Sequence, residues 1–409
     1  MSQLEIQSSP AEMGMDPVRL ERIEKHFDRY VQDGRLSGWL ATVSRRGEVV
    51  WTGSSGYRDR EHGLAVTDDT IWRIYSMTKP LTSLGAMILY EEGLFDLNDD
   101  VGKWIDALAE PRIYQSGPPS APVTAPSTEP VRVHHLLSHM SGLTYGFNFV
   151  HPVDAIYRAK GYQLGWPAGV TLESAVNDWC ASPLLFTPGS RWNYSVATDV
   201  LGRLIEIWSG RTLGEFMQER ILGPLGLHDT DWYCPQSKLD RLAMLYVPGG
   251  ATAERVEDLA AAATRPPRVF SGGGGLVSSA SDYLRFMTMI LRGGELDGVR
   301  LLSSRTLALM TENHLPGNAD LAHFATDSFS ETDFAGVGFG LGFSVMIDRM
   351  KNKSVVSNGT IGWGGAASTA FWIDPREELM VSFFTQLLPS RTYPIRRELQ
   401  RLVYQALLD

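Results

Sequence analysis

A serine and a lysine stand three positions apart at the start of a helical pattern. Residues 79–92 carry apolar side chains along one face, which predicts a helix that Ser76 opens. Lys79 then lies about one turn after Ser76 on the same face, so its amine can contact the serine hydroxyl. A serine needs a base before it becomes a nucleophile, and a buried lysine with a lowered pKa can serve as one. The pair therefore indicates nucleophilic catalysis.

The spacing alone also fits a helix-capping serine beside a surface lysine. Two features of the chain favour catalysis. It contains 7 Lys against 30 Arg, so a lysine at this place is a rare choice. In addition, Ser76-Met77-Thr78-Lys79 is the only S-x-x-K segment in the sequence.

Two later segments contain groups that this chemistry requires. Tyr194 follows a Pro188-Gly189 turn, and a tyrosine on a loop near a lysine can relay a proton. Glycines at 362, 364 and 365 adjoin a β-pattern and allow a ligand to approach the strand backbone closely. A strand N–H there, paired with the Ser76 N–H, would form an oxyanion hole. By themselves, Tyr194 also fits a packed aromatic residue and the glycines a plain turn.

The surrounding patterns predict a mixed α/β chain. A helix at 17–31 precedes a hairpin at 38–43 and 48–51, helical patterns dominate the middle, and β-patterns return near the C-terminus. The Pro/Ser-rich segment 116–130 is predicted to be an exposed loop. The late β-patterns and the last helix are expected at 340–347, 367–373, 379–385 and 393–408.

This order predicts two structural parts. We expect an α/β domain built from residues 1–75 and 335–409, interrupted by a mainly helical insert at 76–334. The insert carries both the nucleophile and the tyrosine motif. A cleft between the two parts is the expected active site.

The motifs together resemble the serine β-lactamase and penicillin-binding-protein superfamily, which shares the S-x-x-K motif. More closely, the chain resembles the class C β-lactamase-like esterases called family VIII carboxylesterases. The resemblance covers most of the chain and includes the stretches 136–143, 186–189, 224–230 and 274–278. It implies a β-lactamase-like fold, with an antiparallel sheet flanked by helices, an inserted helical domain and the active site between them.

The resemblance also implies roles for individual residues. Ser76 is the acylated nucleophile, and Lys79 helps to deprotonate it. Tyr194 is the general base in acylation and the proton donor to the leaving group. The N–H groups of Ser76 and Ala366 hold the oxyanion. The expected substrate-binding residues are Trp363, Gly364, Gly365, Val196 and Tyr145.

The sequence departs from class C β-lactamases at two places. Those enzymes have Tyr-Ala-Asn where this chain has Tyr194-Ser195-Val196, and Lys-Thr-Gly where it has Trp363-Gly364-Gly365. Both changes make the pocket more apolar, which favours neutral esters; the resemblance implies short acyl chains. Acyl transfer to an alcohol through the same acyl-enzyme stays open, as does weak β-lactam hydrolysis. A non-catalytic binding protein of this fold is the least favoured hypothesis.

Other classes of function fit the sequence poorly. The net charge of -10 disfavours binding to nucleic acid. No G-x-S-x-G segment is present for a Ser-His-Asp hydrolase. His135 and His139 are four residues apart but lack the glutamate of a zinc-protease motif, so no metal and no cofactor is expected.

Compartment and partners follow from what the sequence contains. Cys180 and Cys234 are expected to be free, buried thiols rather than a disulfide or redox pair. No signal peptide or membrane-spanning segment is visible, which predicts a cytoplasmic protein without a membrane partner. The expected partner is a small-molecule ester, and the sequence leaves the oligomeric state open.

Overall fold

One large antiparallel sheet organises the fold, which the computed structural model describes for residues 4–326 and 329–408. In chain order the strands are β1 (Gly38–Arg45), β2 (Glu48–Asp59), β3 (Leu64–Ala65), β4 (Ile71–Arg73), β5 (Arg112–Ser116), β6 (Val123–Pro126), β7 (Tyr246–Val247), β8 (Glu254–Arg255), β9 (Val277–Ser279), β10 (Glu295–Leu296), β11 (Val299–Arg300), β12 (Val337–Phe339), β13 (Ser344–Met346), β14 (Ile361–Gly364), β15 (Ala370–Asp374) and β16 (Leu379–Phe384). The large sheet has the order β12-β13-β14-β15-β16-β1-β2-β3. Strand β16, from the C-terminal part of the chain, therefore pairs with β1, from the N-terminal part.

Helices cover the sheet and fill the middle of the chain. They are α1 (Pro17–Gln32), α2 (Thr78–Glu91), α3 (Val133–Leu137), α4 (Pro152–Ala159), α5 (Leu172–Cys180), α6 (Ala197–Ser209), α7 (Leu213–Met217), α8 (Glu257–Ala261), α9 (Ala280–Leu291), α10 (Ser304–Thr311), α11 (Leu321–Phe324), α12 (Arg349–Asn352) and α13 (Ile395–Tyr404). Within the described ranges, none of these helices is both long and apolar enough to cross a bilayer.

Helix α1 shows how local sequence sets an element and its buried face. Asp16 caps the helix by accepting the Val18 N–H at 2.9 Å, and a proline occupies the first turn. The side chains of Leu20, Ile23, Phe27 and Tyr30 recur at helical spacing and are buried, whereas Val18 is exposed. They pack with α13 on one face of the sheet, in a cluster that includes Leu20, Ile23, Phe27, Leu399 and Val403.

Both faces of the sheet are covered, and the burial of β1 demonstrates this. All eight of its residues are buried. On the face toward α1 and α13, the Trp39 ring stacks on Phe383 at 6.0 Å. On the other face Leu40 and Phe384 join a second core that includes the helical middle of the chain. This second core carries the nucleophile helix α2.

The sequence predicted the architecture correctly: this is an α/β fold with a large antiparallel sheet and flanking helices. Some boundaries differ. The strand expected at 340–347 is observed only as β13, Ser344–Met346, because the backbone reverses between β12 and β13 at Gly342, with φ 104°. Segment 116–130 is not wholly a loop, since β6 pairs with β5 there. The predicted boundaries of the helical insert, at residues 76 and 334, stay a prediction. The strands of the large sheet lie within residues 38–65 and 337–384.

Candidate active site

Ser76 lies in a tight 3-10 turn, Tyr75–Met77, immediately before α2. Tyr75 has φ 43°, a left-handed conformation that a bulky residue adopts only when its surroundings enforce it. The surroundings do so from both sides: the Ile74 N–H donates to the Leu276 carbonyl at 3.1 Å, and the Tyr283 hydroxyl donates to the Met77 carbonyl at 3.0 Å. The turn thus holds Ser76 in a fixed position, with 9% of its surface exposed.

Lys79 follows on the first turn of α2 and is 2% exposed. Its Nζ lies 3.3 Å from the Ser76 Oγ and donates to the Gly273 carbonyl at 2.6 Å. Burial lowers the pKa of the Lys79 ammonium to about 8, although the carboxylates of Asp199 and Glu331 act in the opposite direction. A substantial fraction of the Lys79 amine is therefore neutral near pH 8, and only the neutral amine can accept the Ser76 proton.

Tyr194 is the third member of this cluster and is 1% exposed. Its ring centroid lies 4.6 Å from the Lys79 Nζ, and its hydroxyl accepts the Trp363 indole N–H at 3.3 Å. Burial and then the Glu331 carboxylate raise the pKa of the Tyr194 phenol well above its usual range, although hydrogen bonds with Ser76 and Trp363 act to lower it. The phenol therefore stays protonated and is suited to donate a proton.

The glycine turn after β14 reaches the nucleophile turn. Strand β13 pairs with β14 only at Ile361 and Gly362. The edge of β14 after Gly362 is therefore not paired with β13. A side chain at Gly365 would collide with the Ile74 carbonyl, because the two backbones touch there. Ala366 is half-buried next to this contact. An oxyanion hole formed by the Ser76 and Ala366 N–H groups requires such an approach.

Tyr145 and Val196 occupy different positions relative to the nucleophile. The Tyr145 ring lies 5.4 Å from both the Lys79 Nζ and the Tyr194 ring, and it stacks on Phe147 at 4.5 Å. Val196 is buried at the N-terminus of α6, where its N–H donates to the Thr144 carbonyl at 3.2 Å. Tyr145 is thus part of the cluster around Lys79.

Asp199 was not predicted. It lies in the first turn of α6, five residues after Tyr194, and is 4% exposed. It accepts hydrogen bonds from the Ser271 hydroxyl at 2.6 Å and the Gly273 N–H at 3.0 Å. The sequence signal was a carboxylate inside the apolar run Val196-Ala197-Thr198-Asp199-Val200-Leu201, since a buried aspartate needs partners.

An ion pair next to the glycine turn was also missed. Arg396 of α13 pairs with the Glu331 carboxylate at 2.6 Å and donates to the Thr369 carbonyl at 3.1 Å and to the Gly365 carbonyl at 3.4 Å. A cation is therefore present beside Trp363-Gly364-Gly365. Its charge is balanced by Glu331, whose side chain is 1% exposed.

His134, His135 and the two cysteines lie outside this chemistry, whereas the His139 ring packs on the Tyr194 ring at 5.0 Å. Burial lowers the pKa of His134 to about 4 and that of His135 to about 3, and His135 Nδ1 accepts the Arg132 N–H at 3.1 Å. Among the described residues, no group of three or more His, Cys, Asp or Glu could hold a metal ion. Cys180 and Cys234 are free and buried, as predicted.

The chain is similar to known proteins both in sequence and in structure. The beta-lactamase family model matches residues 23–405. Esterase EstB of Burkholderia gladioli is 30% identical over 395 residues, covering 92% of this chain and 93% of its own. Monacolin J acid methylbutanoyltransferase of Aspergillus terreus is 27% identical, covering 83% and 82%. The structure of EstCE1, a hydrolase with promiscuous acyltransferase activity, superposes with a TM-score of 0.80 at 28% identity, covering 96% and 99%.

Proposed function

This chain belongs to the beta-lactamase family, and we propose that it is a serine esterase of the family VIII type, which hydrolyses small, short-chain acyl esters through an acyl-enzyme on Ser76. A serine hydrolase acting on esters agrees with EstB and EstCE1, which align over nearly their whole lengths. The observation that carries the proposal is the Lys79 Nζ at 3.3 Å from the Ser76 Oγ, with the Tyr194 ring centroid 4.6 Å from the same amine.

Acylation begins with neutral Lys79. The Ser76 Oγ forms a bond to the ester carbonyl carbon, its proton passes to the Lys79 Nζ, and the carbonyl oxygen becomes an oxyanion. The Ser76 and Ala366 N–H groups stabilise that charge. The bond from carbon to the alcohol oxygen then breaks, and the alcohol takes the Tyr194 phenol proton. Tyr194 regains a proton from the Lys79 ammonium, so both groups return to their starting states.

Deacylation uses the same groups in reverse. A water oxygen attacks the acyl carbon, and its proton passes through Tyr194 to Lys79. The bond from carbon to the Ser76 Oγ breaks, and Ser76 regains its proton from Lys79. The acid leaves. The family resemblance implies that Tyr194 is the base in acylation. Because Tyr194 has a raised pKa, we instead assign it the donor and relay step, with Lys79 as the base in both half-reactions.

Apolar surroundings support neutral esters as substrates. Trp363 occupies the position where class C β-lactamases have a lysine, and Arg396 nearby is paired with Glu331. A substrate carboxylate would therefore have to compete with Glu331 for the guanidinium, which disfavours β-lactams with that group. We expect at most weak nitrocefin turnover.

A series of p-nitrophenyl esters from acetate to decanoate tests the proposal directly. We expect the highest kcat/KM with acyl chains of two to about six carbons, because the walls around Ser76 leave it only 9% exposed. The control is Ser76→Ala, assayed on the same series. Equal hydrolysis by wild type and Ser76→Ala would contradict the proposal.

Acyl transfer is the second candidate, supported by the acyltransferase names of EstCE1 and the Aspergillus relative. An alcohol in place of water would resolve the same acyl-enzyme. Reactions with p-nitrophenyl butyrate and increasing methanol separate the two functions: the ratio of methyl butyrate to butyric acid measures partitioning. A ratio above the molar ratio of methanol to water would favour transfer.

A further inference from the structure

The run Gly272-Gly273-Gly274-Gly275 supplies no reacting group to the proposed chemistry. It lies along α2 and is joined to that helix by three hydrogen bonds. Thr82 donates to the Gly272 carbonyl at 2.8 Å, Lys79 donates to the Gly273 carbonyl at 2.6 Å, and the Leu276 N–H donates to the Thr78 hydroxyl at 3.1 Å. The run therefore supplies a fixed backbone acceptor for the Lys79 amine.

Asp199 holds the same peptide from the opposite side. Its carboxylate accepts the Gly273 N–H at 3.0 Å and the Ser271 hydroxyl at 2.6 Å. A side chain at Gly273 would collide with the Asp199 Oδ2, so only glycine permits this contact. The connection from Asp199 through Gly273 to Lys79 thus consists of consecutive hydrogen bonds across buried backbone.

Charge also couples these groups. Burial raises the pKa of Asp199, whereas the Lys79 ammonium and the two hydrogen bonds lower it. In turn, the negative charges of the Asp199 and Glu331 carboxylates act to raise the pKa of Lys79, against the effect of burial. The other titratable groups around Lys79 are Tyr145 and Tyr194, whose rings it faces, and His139, on whose pKa it acts.

We propose that Asp199 is a positioning residue for Lys79, which fixes the Gly273 carbonyl that accepts from the amine and balances the positive charge that forms when Lys79 takes the serine proton. This inference rests on the proposed function. Asp199 then has two opposing effects. It stabilises the Lys79 ammonium that forms when the serine proton is transferred, but it also favours the ammonium before the transfer, when Lys79 must be neutral. Neutralising Asp199 must therefore change the pH dependence of the reaction.

Asp199→Asn tests the charge because asparagine keeps the acceptor oxygen and removes the carboxylate. The folded pKa of Lys79 should fall, since a nearby negative charge raises it. The acid limb of kcat/KM should then shift to lower pH by about one unit. Its plateau should fall several-fold, because the ammonium formed during acylation is less well stabilised.

Two readouts on folded enzyme measure the shift: hydrolysis of p-nitrophenyl butyrate, and the rate at which a fluorophosphonate labels Ser76 from pH 5.5 to 10. Labelling forms the bond from Ser76 Oγ to phosphorus, expels fluoride and passes the serine proton to the base, so it reports on Lys79 without any ester. Asp374→Asn is the matched control, since Asp374 is also buried and accepts the Tyr404 hydroxyl at 2.6 Å. Its limb should coincide with wild type.

The outcomes separate the two hypotheses. If Ser76→Ala is labelled like wild type, the proposed function fails. If Ser76→Ala is inert but the Asp199→Asn limb coincides with the wild-type limb, only the inference is overturned. Asp199→Ser serves the same test should the asparagine variant not fold. Ser271→Ala removes one donor but keeps the charge, so a limb shift as large as that of Asp199→Asn would also overturn it.

Discussion

Two walls of the active site are built on different physical principles. The polar wall consists of Ser76, Lys79, Asp199, Ser271 and Gly273, whose hydrogen bonds are 2.6 to 3.3 Å long. The aromatic wall consists of Tyr145, Phe147, Tyr194, Phe329 and Trp363, whose ring centroids are 4.5 to 6.3 Å apart. Hydrogen bonds weaken steeply with distance and angle, whereas ring packing tolerates many arrangements.

The two walls are therefore expected to have different functions: the polar wall contributes to catalysis and the aromatic wall to substrate binding. Changes in the polar wall should lower kcat, because they remove or displace groups that move protons. Changes in the aromatic wall should alter KM for larger substrates and leave proton transfer in place. Tyr194 belongs to the aromatic wall by its ring, but that ring also lies 4.6 Å from the Lys79 Nζ of the polar wall. Substitutions can therefore test where the boundary between the walls lies.

The largest effect is expected for Ser76→Ala, which removes the nucleophile from the polar wall. Loss of a nucleophile lowers kcat by about 10⁴-fold or more. Ser83→Ala, a buried serine farther along α2, should stay within about twofold of wild type because it changes only local packing. Hydrolysis of p-nitrophenyl butyrate measures both. Residual activity of Ser76→Ala above one per cent would remove Ser76 from the mechanism.

Tyr194→Phe tests the residue shared by both walls, because the ring remains and only the hydroxyl is lost. We expect kcat to fall by about 10²- to 10³-fold, the usual contribution of a general acid or base. Tyr157→Phe provides a matched control at a buried tyrosine whose hydroxyl contacts the Trp179 carbonyl. A loss of less than fivefold in kcat would place Tyr194 wholly in the aromatic wall.

The pH profile of wild type tests the base of the polar wall. Lys79 must be neutral to act, and its pKa is lowered to about 8. The value of kcat/KM should therefore rise about tenfold per pH unit up to pH 7 and level off above pH 8 to 9. A profile that is flat from pH 6 to 9 would show that Lys79 is not the titrating base.

The smallest effect is expected for Phe147→Ala in the aromatic wall. Loss of a stacked ring contact weakens binding by about 1 kcal/mol, so KM for p-nitrophenyl hexanoate should rise about fivefold. The kcat for the acetate ester should change by less than about twofold. Phe149→Ala, at a ring that is 62% exposed, is the control and should alter neither value. A large fall in kcat would mean that the aromatic wall also orients Lys79.

Local sequence predicted the elements whose signals are short-range. The helix expected at 17–31 is observed as Pro17–Gln32, and that at 79–92 as Thr78–Glu91, because apolar periodicity and capping act within one element. The last helix, expected at 393–408, is shorter at Ile395–Tyr404. Pairing of β6 with β5 was missed because a proline-rich pattern gives no information about its partner strand.

Sequence alone determined the pair Ser76 and Lys79, because three residues of backbone bring them together. It also supplied the family resemblance and the fold class. Only the tertiary structure decided the environment of the pair: Gly273 is 194 residues from Lys79, and Trp363 is 169 residues from Tyr194. The pKa of Lys79 and the position of Asp199 depend on burial and on such long-range contacts, and no local pattern encodes which distant segments will meet.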